Sequence, residues 1–379
     1  MMKLAIVVGA RPNFMKITPI LKAINRYNAV SRSTFHTLLI HTGQHYDYEM
    51  SKIFFEDLDI PEPHIYLGIG SGTHGEQTGK MLIALERVFM EQQPNLVMVV
   101  GDVNSTLAGA LAAAKLHIPV AHVEAGLRCF DMQMPEELNR ILTDKVAELL
   151  FTPVREANYN LIREGVPEYK IFLVGDVMID VLIENLGKAR NRKIYNRMGL
   201  EHLQYGVVTL HRAENVDNPD RLYSVLEALN EIGKDIPLIF PIHPRTRKRI
   251  EEFGFTNMVS EWPDNRIKQP ALYAMKPIGY LDFISLEMHT TIVFTDSGGI
   301  QKETMMLNIP CLTLRNRTEY PFTLTRGTNT LVGTDKQLII HEAHKVLTGN
   351  RKHADTIPLW DGKAATRIVD VIANWYGMN

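Results

Sequence analysis

Short, wholly apolar runs alternate along the chain with longer amphipathic stretches. "KLAIVVG", "HTLLIHT", "NLVMVVGD", "IPVAHVE" and "KIFLVG" form a first series, and "YGVVTLH", "PLIFPIH", "TIVFTD" and "IPCLTL" a second. A strand with one solvated face alternates apolar and polar residues, whereas a run without alternation is buried on both faces. Such runs, separated by helical patterns, predict parallel strands joined by right-handed crossover helices. The stretch "NSTLAGALAAAKLH" is rich in Ala and Gly, which predicts a helix lying close against its sheet.

Between the two series lies "IENLGKARNRKIYNRMGLEHLQ", polar, charged and poor in strand pattern. The junction is expected just before it, near residues 174–176. This gives an N-terminal domain over residues 1–174 and a C-terminal one over 175–362. The expected fold class is α/β, with two doubly wound domains facing one another across a cleft. The final helical stretch, within residues 363–379, fits either domain.

Composition narrows the partners. The 379 residues are 45% apolar and 22% charged, ordinary for a globular protein with large cores. A formal net charge of -2 gives no global basis for binding nucleic acid or an anionic membrane. The locally basic "HPRTRKRIEEF" is followed at once by Glu251 and Glu252 and reads as a solvated helix face. Cys129 and Cys311 are the only cysteines and form no Cys-x-x-Cys pair, which suits a reducing cytoplasm and argues against a thiolate metal site. No run approaches the ~20 apolar residues that span a bilayer, and "MMKLAIVVGARP" is too short in its apolar part for a signal peptide.

The chemistry-bearing residues cluster where strands are expected to end. Arg11 and Lys16 follow the first strand, Asp102 the third and Glu124 the fourth; His211 and "FTDSGG" end strands of the second series. Open α/β sheets bind ligands outside the carboxyl ends of their strands. Asp102 and Glu124 stand one strand–helix–strand unit apart, which predicts adjacent strands and two carboxylates whose acidities diverge. Asp102 reads equally well as a cap for the helix near Asn104, and Glu124 could pair with Arg128. Glu136 and Glu137 follow Pro135 and, on their own, read as an ordinary helix start. His41 and His45 have metal-like spacing, but no third ligand sits at a fitting position, so no metal is expected. Ser297, Gly298 and Gly299 precede a helix and suit an anion at its N-terminus.

Together, "GARPNFMK", "HTGQHYD", "GDVNSTLAGALAAAKLHIPVAHVEAGLR", "MPEELNR", "TLHRAENVD" and "TDSGGIQKE" resemble the motifs of the non-hydrolysing UDP-N-acetylglucosamine 2-epimerases. The resemblance is collinear over nearly the whole chain. It implies a GT-B fold of two Rossmann-like domains, with the C-terminal helix returning to the first. It also implies a homodimer, no nicotinamide, no catalytic metal and a UDP-sugar substrate epimerised at C2. By motif, Asp102, Glu124 and Glu136 become the acid–base carboxylates, which overturns the structural reading of Glu136, and His211 lies near the leaving diphosphate. Arg11 and Lys16 face the nucleotide sugar, Phe283 the uracil, Ser297 to Gly299 the diphosphate and Glu303 the ribose. Which carboxylate is base and which is acid stays open.

Three positions depart from the usual family pattern. "RTEYPFT" puts Tyr320 where an arginine is usual, and a phenol cannot replace a bidentate guanidinium. "GGIQKET" puts Lys302 where a glutamate is usual. Both resemble a sister branch acting on UDP-2,3-diacetamido-2,3-dideoxyglucuronate, which stands as the alternative substrate. "HGEQTG" puts Glu76 where some bacterial members carry an arginine that binds a second, activating UDP-GlcNAc, and a carboxylate there would repel a diphosphate. A GT-B glycosyltransferase is the competing reaction class; it would not require three acid–base carboxylates.

Overall fold

The computed structural model describes residues 1–43, 61–263 and 269–378, apart from the side chain of Arg11. His45 and the side chain of Arg11 therefore lie outside the described residues. The chain divides into two compact units, Met1–Glu184 with Ile357–Asn379, and Asn185–Thr356.

Among the described residues the first unit contains seven strands: β1 (Met2–Val8), β2 (Phe35–His41), β3 (Ile65–Tyr66), β4 (Leu96–Val100), β5 (Val120–Val123), β6 (Leu149–Thr152) and β7 (Ile171–Leu173). They pair in parallel in the order β3-β2-β1-β4-β5-β6-β7. The direction of winding reverses between β1 and β4, so a switch point opens beyond their carboxyl ends. β4 is buried at every position, as its unalternating sequence requires. The helix His74–Gln92 turns Met81, Leu85 and Phe89 inward, four residues apart, onto the sheet. In the helix Asn104–Lys115, a Cβ on Gly109 would lie 3.1 Å from Val99 and 3.4 Å from Val7. The expected close approach thus occurs over β1 and β4.

The C-terminal helix Ala364–Trp375 belongs to this unit and packs on the helix Arg11–Val30. Its first amides are capped from far away in the sequence. The buried carboxylate of Asp180 accepts from Ala364 N at 3.1 Å and Ala365 N at 2.7 Å. Trp360 adds a bond from Nε1 to the Pro153 carbonyl at 3.3 Å.

The second unit contains β8 (Gly206–Thr209), β9 (Leu238–Pro241), β10 (Ser260–Glu261), β11 (Leu272–Met275), β12 (Ile292–Thr295), β13 (Cys311–Thr313) and β14 (Asn329–Leu331). These are also parallel, in the order β10-β11-β9-β8-β12-β13-β14, with the switch point between β8 and β12. Leu222, Val225, Leu226 and Leu229 of the helix Pro219–Ile232 fill one face of its core. The basic helix Pro244–Glu252 carries Arg245 and Arg249 paired with Asp217, and Arg247 paired with Glu261. It is a solvated, ion-paired face, as its sequence predicts.

Asp180 makes the docking of the C-terminal helix pH-dependent. Burial pushes its carboxyl from 3.8 up to about 6, against the two amide bonds, with Asp176 and Asp361 adding to the rise. A raised folded-state value means the contribution is present in full below the unfolded value and is lost as pH rises through about 6. Asp180→Ala removes the cap and is expected to cost about 1–2 kcal/mol. Asp180→Asn should flatten the fall in stability between about pH 4 and 6. Denaturant titrations across that range check both; an unchanged slope in Asp180→Asn would refute the coupling.

Candidate active site

In the first unit, parallel pairing of Val100 with Val123 brings Asp102 and Glu124 off neighbouring strand ends, as their spacing predicts. Asn13 ties the two sides of the switch point together. Its Oδ1 accepts from Ala10 N at 3.1 Å, and its Nδ2 donates to the Val100 carbonyl at 2.8 Å. One helical turn further along, Lys16 donates Nζ to the buried carboxylate of Glu124. Gly101 has φ +70° and passes directly beneath this pair; a Cβ there would lie 3.0 Å from Lys16 Nζ. Only glycine suits both the backbone and the space.

Asp102 is not the cap of the following helix, whose N-cap is Val103 with no side-chain bond. Its Oδ2 instead accepts from Arg140 Nη2. Burial pushes the Asp102 carboxyl up, but Arg140 and Lys16 outweigh it and hold the group below the usual carboxylate range. Glu124 pairs with Lys16, while Arg128 is taken by Asp144 at 2.8 Å and Glu164 at 2.7 Å.

The two acids of "MPEELNR" separate in role. Glu137 is wholly buried and accepts from Cys129 N at 3.1 Å and Phe130 N at 2.7 Å, with Arg140 as its counter-ion. It fastens the preceding loop. Glu136, in the same first turn of the helix Pro135–Val146, is only half buried. Arg140 bridges Glu137 and Asp102, so this helical turn is tied to the end of β4. Asn139 strengthens the tie, donating to the Asp102 carbonyl at 2.9 Å. Sequence reasoning passed over Arg140, although it stands one turn after Glu136 on the same helix face.

In the second unit, Thr209 and Thr295 are register partners joined through their hydroxyls at 2.6 Å. Just beyond them His211 Nδ1 lies 3.2 Å from Asp296 Oδ1. Asp296 is fully buried and also accepts from Arg212 N at 2.8 Å and Asn215 Nδ2 at 3.2 Å. Burial would raise Asp296, but His211 and the amides hold it below the usual range. It is thus an ionised orienting group for a half-exposed imidazole. "FTDSGG" contains it, yet the glycines, not the aspartate, drew attention in the sequence.

Ser297 is the N-cap of the helix Gly298–Leu307, with no side-chain cap bond. A Cβ on Gly298 would lie 2.8 Å from Glu319 and 3.0 Å from Tyr320, whereas one on Gly299 would meet open space. Gly298 therefore allows close packing, and Gly299 leaves room at the helix terminus. Glu303, one turn further, is buried and accepts from Tyr280 Oη at 3.0 Å. Tyr280 opens the helix Tyr280–Glu287; Phe283, on its first turn, is partly buried. The two unusual residues meet, with Lys302 Nζ 4.8 Å from the centroid of the Tyr320 ring. Glu319 beside them is bound by Arg315 at 2.8 Å.

His41 and Glu76 take ordinary structural roles. His41 is buried, stacks on Phe14 and accepts from Gly43 N at 2.8 Å, and burial pushes it down to about 4. Among the described residues no group of three His, Cys, Asp or Glu is arranged to hold a metal ion. Glu76 pairs with Lys80 at 2.6 Å in the first turn of its helix. Among the described residues no helix is long and apolar enough to cross a membrane.

The sequence profile described as UDP-N-acetylglucosamine 2-epimerase matches residues 28–373. The UDP-N-acetylglucosamine 2-epimerase of Methanocaldococcus jannaschii is 46% identical over 377 residues, covering 98% of this chain and 99% of the relative. The UDP-2,3-diacetamido-2,3-dideoxy-D-glucuronate 2-epimerase of Pseudomonas aeruginosa is 44% identical over 376 residues, covering 98% and 99%. The crystal structure of the Methanocaldococcus jannaschii UDP-GlcNAc 2-epimerase, in complex with UDP-GlcNAc and UDP, superimposes with a TM-score of 0.87 at 44% identity, covering 98% of this chain and 100% of that one. The fold is the GT-B-type pair of doubly wound domains.

Glu287 generates a stability prediction. It is wholly buried, and among the described residues neither carboxylate oxygen has a hydrogen-bond partner. Burial, then the charge of Glu303, push it well above its ordinary 4.5. Its contribution is therefore present in full below the unfolded value and is lost as pH rises through the folded one. Glu287→Gln should melt higher than wild type at about pH 8, with the gap closing towards about pH 4.5. Melting curves at both pH values test this; a variant less stable than wild type at the higher pH contradicts it.

Proposed function

The chain belongs to the UDP-N-acetylglucosamine 2-epimerase family, and from that membership we propose that it is a non-hydrolysing isomerase interconverting UDP-N-acetylglucosamine and UDP-N-acetylmannosamine. The observation that carries the reading is the pair of cation-matched carboxylates, Asp102 and Glu124, on neighbouring strand ends.

The C2–H bond of the sugar is not acidic, because no carbonyl adjoins it in the ring. Elimination avoids the difficulty. A carboxylate takes the C2 proton, the C2–H electron pair becomes a C1=C2 double bond, and the C1–O bond breaks to release UDP. The intermediate is 2-acetamidoglucal. UDP then adds back to C1 while an acid delivers a proton to the opposite face of C2. Asp102, Glu124 and Glu136 share the base and acid roles, which general acid–base catalysis assigns to groups of this kind. Lys16 neutralises Glu124, and Arg140 keeps Asp102 ionised and able to accept a proton.

In the second unit, His211 faces the departing diphosphate, oriented by Asp296. Ser297, Gly298 and Gly299 offer donors at the positive end of their helix, Glu303 takes the ribose hydroxyls and Phe283 lies against uracil. Arg11 joins Lys16 on the nucleotide sugar.

One observation favours a second substrate. The buried Lys302, set against Tyr320, supplies a cation suited to a sugar carboxylate, as in the diacetamido-glucuronate nucleotide. We also infer a homodimer in the cytoplasm. Phe130, Met132, Leu138 and Leu142, all on or just before the helix Pro135–Val146, are exposed apolar side chains of the kind a second copy covers, and both cysteines are free.

Incubation with UDP-N-acetylglucosamine in heavy water, followed by NMR, should give UDP-N-acetylmannosamine carrying deuterium at C2. Absence of exchange eliminates this substrate, and exchange only with the diacetamido-glucuronate nucleotide selects the alternative. Asp102→Asn should lower kcat by about 10²- to 10⁴-fold while UDP binding stays near wild type; a fully active variant removes Asp102 from the mechanism. Phe130→Glu with Leu138→Glu should shift the protein to the monomer mass in light scattering, and a monomeric wild type refutes the dimer.

A further inference from the structure

Beneath the two carboxylates lies a buried polar network to which no catalytic step has been assigned. His122, on β5, is fully buried, with Nδ1 2.7 Å from Asp144 Oδ1 and Nε2 2.8 Å from the Gly101 carbonyl. A carbonyl oxygen can only accept. Asp144 Oδ2 already accepts from Gly126 N at 3.1 Å and faces Arg128 Nη2 at 2.8 Å. Burial would raise Asp144, but His122 and Arg128 outweigh it and hold the carboxyl below the usual range. Asp144 is therefore ionised and also only accepts. With acceptors on both sides, both ring nitrogens must donate, so the ring is an imidazolium.

The network is balanced. With both ring nitrogens of His122 donating, His122 and Arg128 supply two positive charges against the two negative ones of Asp144 and Glu164. Such a buried set is retained at a desolvation cost that only good geometry offsets. Its geometry falls on the two turns that aim the carboxylates. Gly101, whose carbonyl it grips, has φ +70° and precedes Asp102. Gly126, whose amide it grips, has φ +78° and follows Glu124 by two residues. Glu124 itself has φ +72°, a conformation that costs a residue with a side chain about 1–2 kcal/mol and persists only when its surroundings enforce it.

We propose that His122 is a positioning residue that donates from both ring nitrogens, an imidazolium strut between Asp144 and the Gly101 carbonyl that fixes Asp102 and Glu124 in their working orientation. It touches no substrate and acts through the backbone of both strand ends. The proposal deepens the epimerase reading and rests on it only for its turnover measurement.

Two measurements test it. In protein labelled with ¹⁵N-histidine, one ring absent from His122→Gln should show both nitrogens protonated at about pH 8, where a free imidazole is neutral. A bare nitrogen on that ring overturns the proposal. In turnover, His122→Gln should lower kcat about 10- to 100-fold with KM for UDP-N-acetylglucosamine within about twofold, because misorientation affects the reacting groups more than binding. Wild-type kcat in a folded variant overturns it equally. If His122→Gln does not fold, Asp144→Asn replaces it, since an amide can donate to a neutral Nδ1 and still accept from Gly126. That variant should leave a single ring N–H and a lowered kcat, and an unchanged ring would refute the strut. If wild type does not turn over UDP-N-acetylglucosamine, that substrate falls while the nitrogen signature still decides the state of His122.

Discussion

Charge packed against charge where β4 and β5 end is the constraint on which the rest of the first unit depends. Two ionised carboxylates on neighbouring strand ends repel one another, and the Glu124 charge does push Asp102 up. Lys16 and Arg140 remove that repulsion by giving each carboxylate its own cation. Neither cation is incidental to its element. Lys16 stands one turn into the helix that Pro12 opens, and Arg140 one turn after Glu136. The surrounding structure follows from holding these four groups in place: Asn13 clamps β1 to β4, Glu137 anchors Arg140, and glycine at position 101 makes space for Lys16.

The second unit uses the same switch point with the opposite emphasis. Its central acid, Asp296, is buried and saturated with donors, so it orients His211 and is itself unavailable for proton transfer. Half-exposed His211 is the outer member of the pair, open to solvent or ligand. In the first unit, Asp102 retains side-chain exposure of 30% while the arginine behind it has 2%. In both places the group meant to meet solvent or ligand is outermost, and a fully ionised, fully bonded partner stands behind it. That order is what pre-organisation requires, because the buried partner does not have to reorganise during reaction.

The strands and their ends were legible in the sequence because burial on both faces removes alternation, and because Arg, Asp, Glu and His are conspicuous after apolar runs. The adjacency of Asp102 and Glu124 followed from spacing alone. What did not follow was partnership. "AHVEAGLR" offers Arg128 as the neighbour of Glu124, yet the left-handed turn at Glu124 sends the two side chains to different partners. Period and propensity say nothing of a backbone reversal in a non-glycine residue. His122, two residues before Glu124, reads as one more strand position, and its role depends on Asp144 from a helix 22 residues on. The roles of Glu136 and Glu137 likewise need three dimensions, since adjacent residues in a first turn differ only in which one the loop folds onto.

Contact also changes how the departures from the family pattern are weighed. Lys302 and Tyr320 are separated in sequence, and read along the chain they count as two independent differences. In the folded unit Lys302 lies against the Tyr320 ring, and Tyr320 packs over Gly298 at the helix terminus. An ammonium buried there is accommodated by the face of the aromatic ring, an interaction that an arginine at position 320 would replace with repulsion. Conversely, a glutamate at 302 would suit that arginine. The two positions are therefore coupled in this fold, because changing either residue alone would juxtapose two cations or leave a buried charge facing the wrong partner. The substrate question accordingly turns on one altered contact beside Gly298, and the first residues whose exchange should move specificity are those two together.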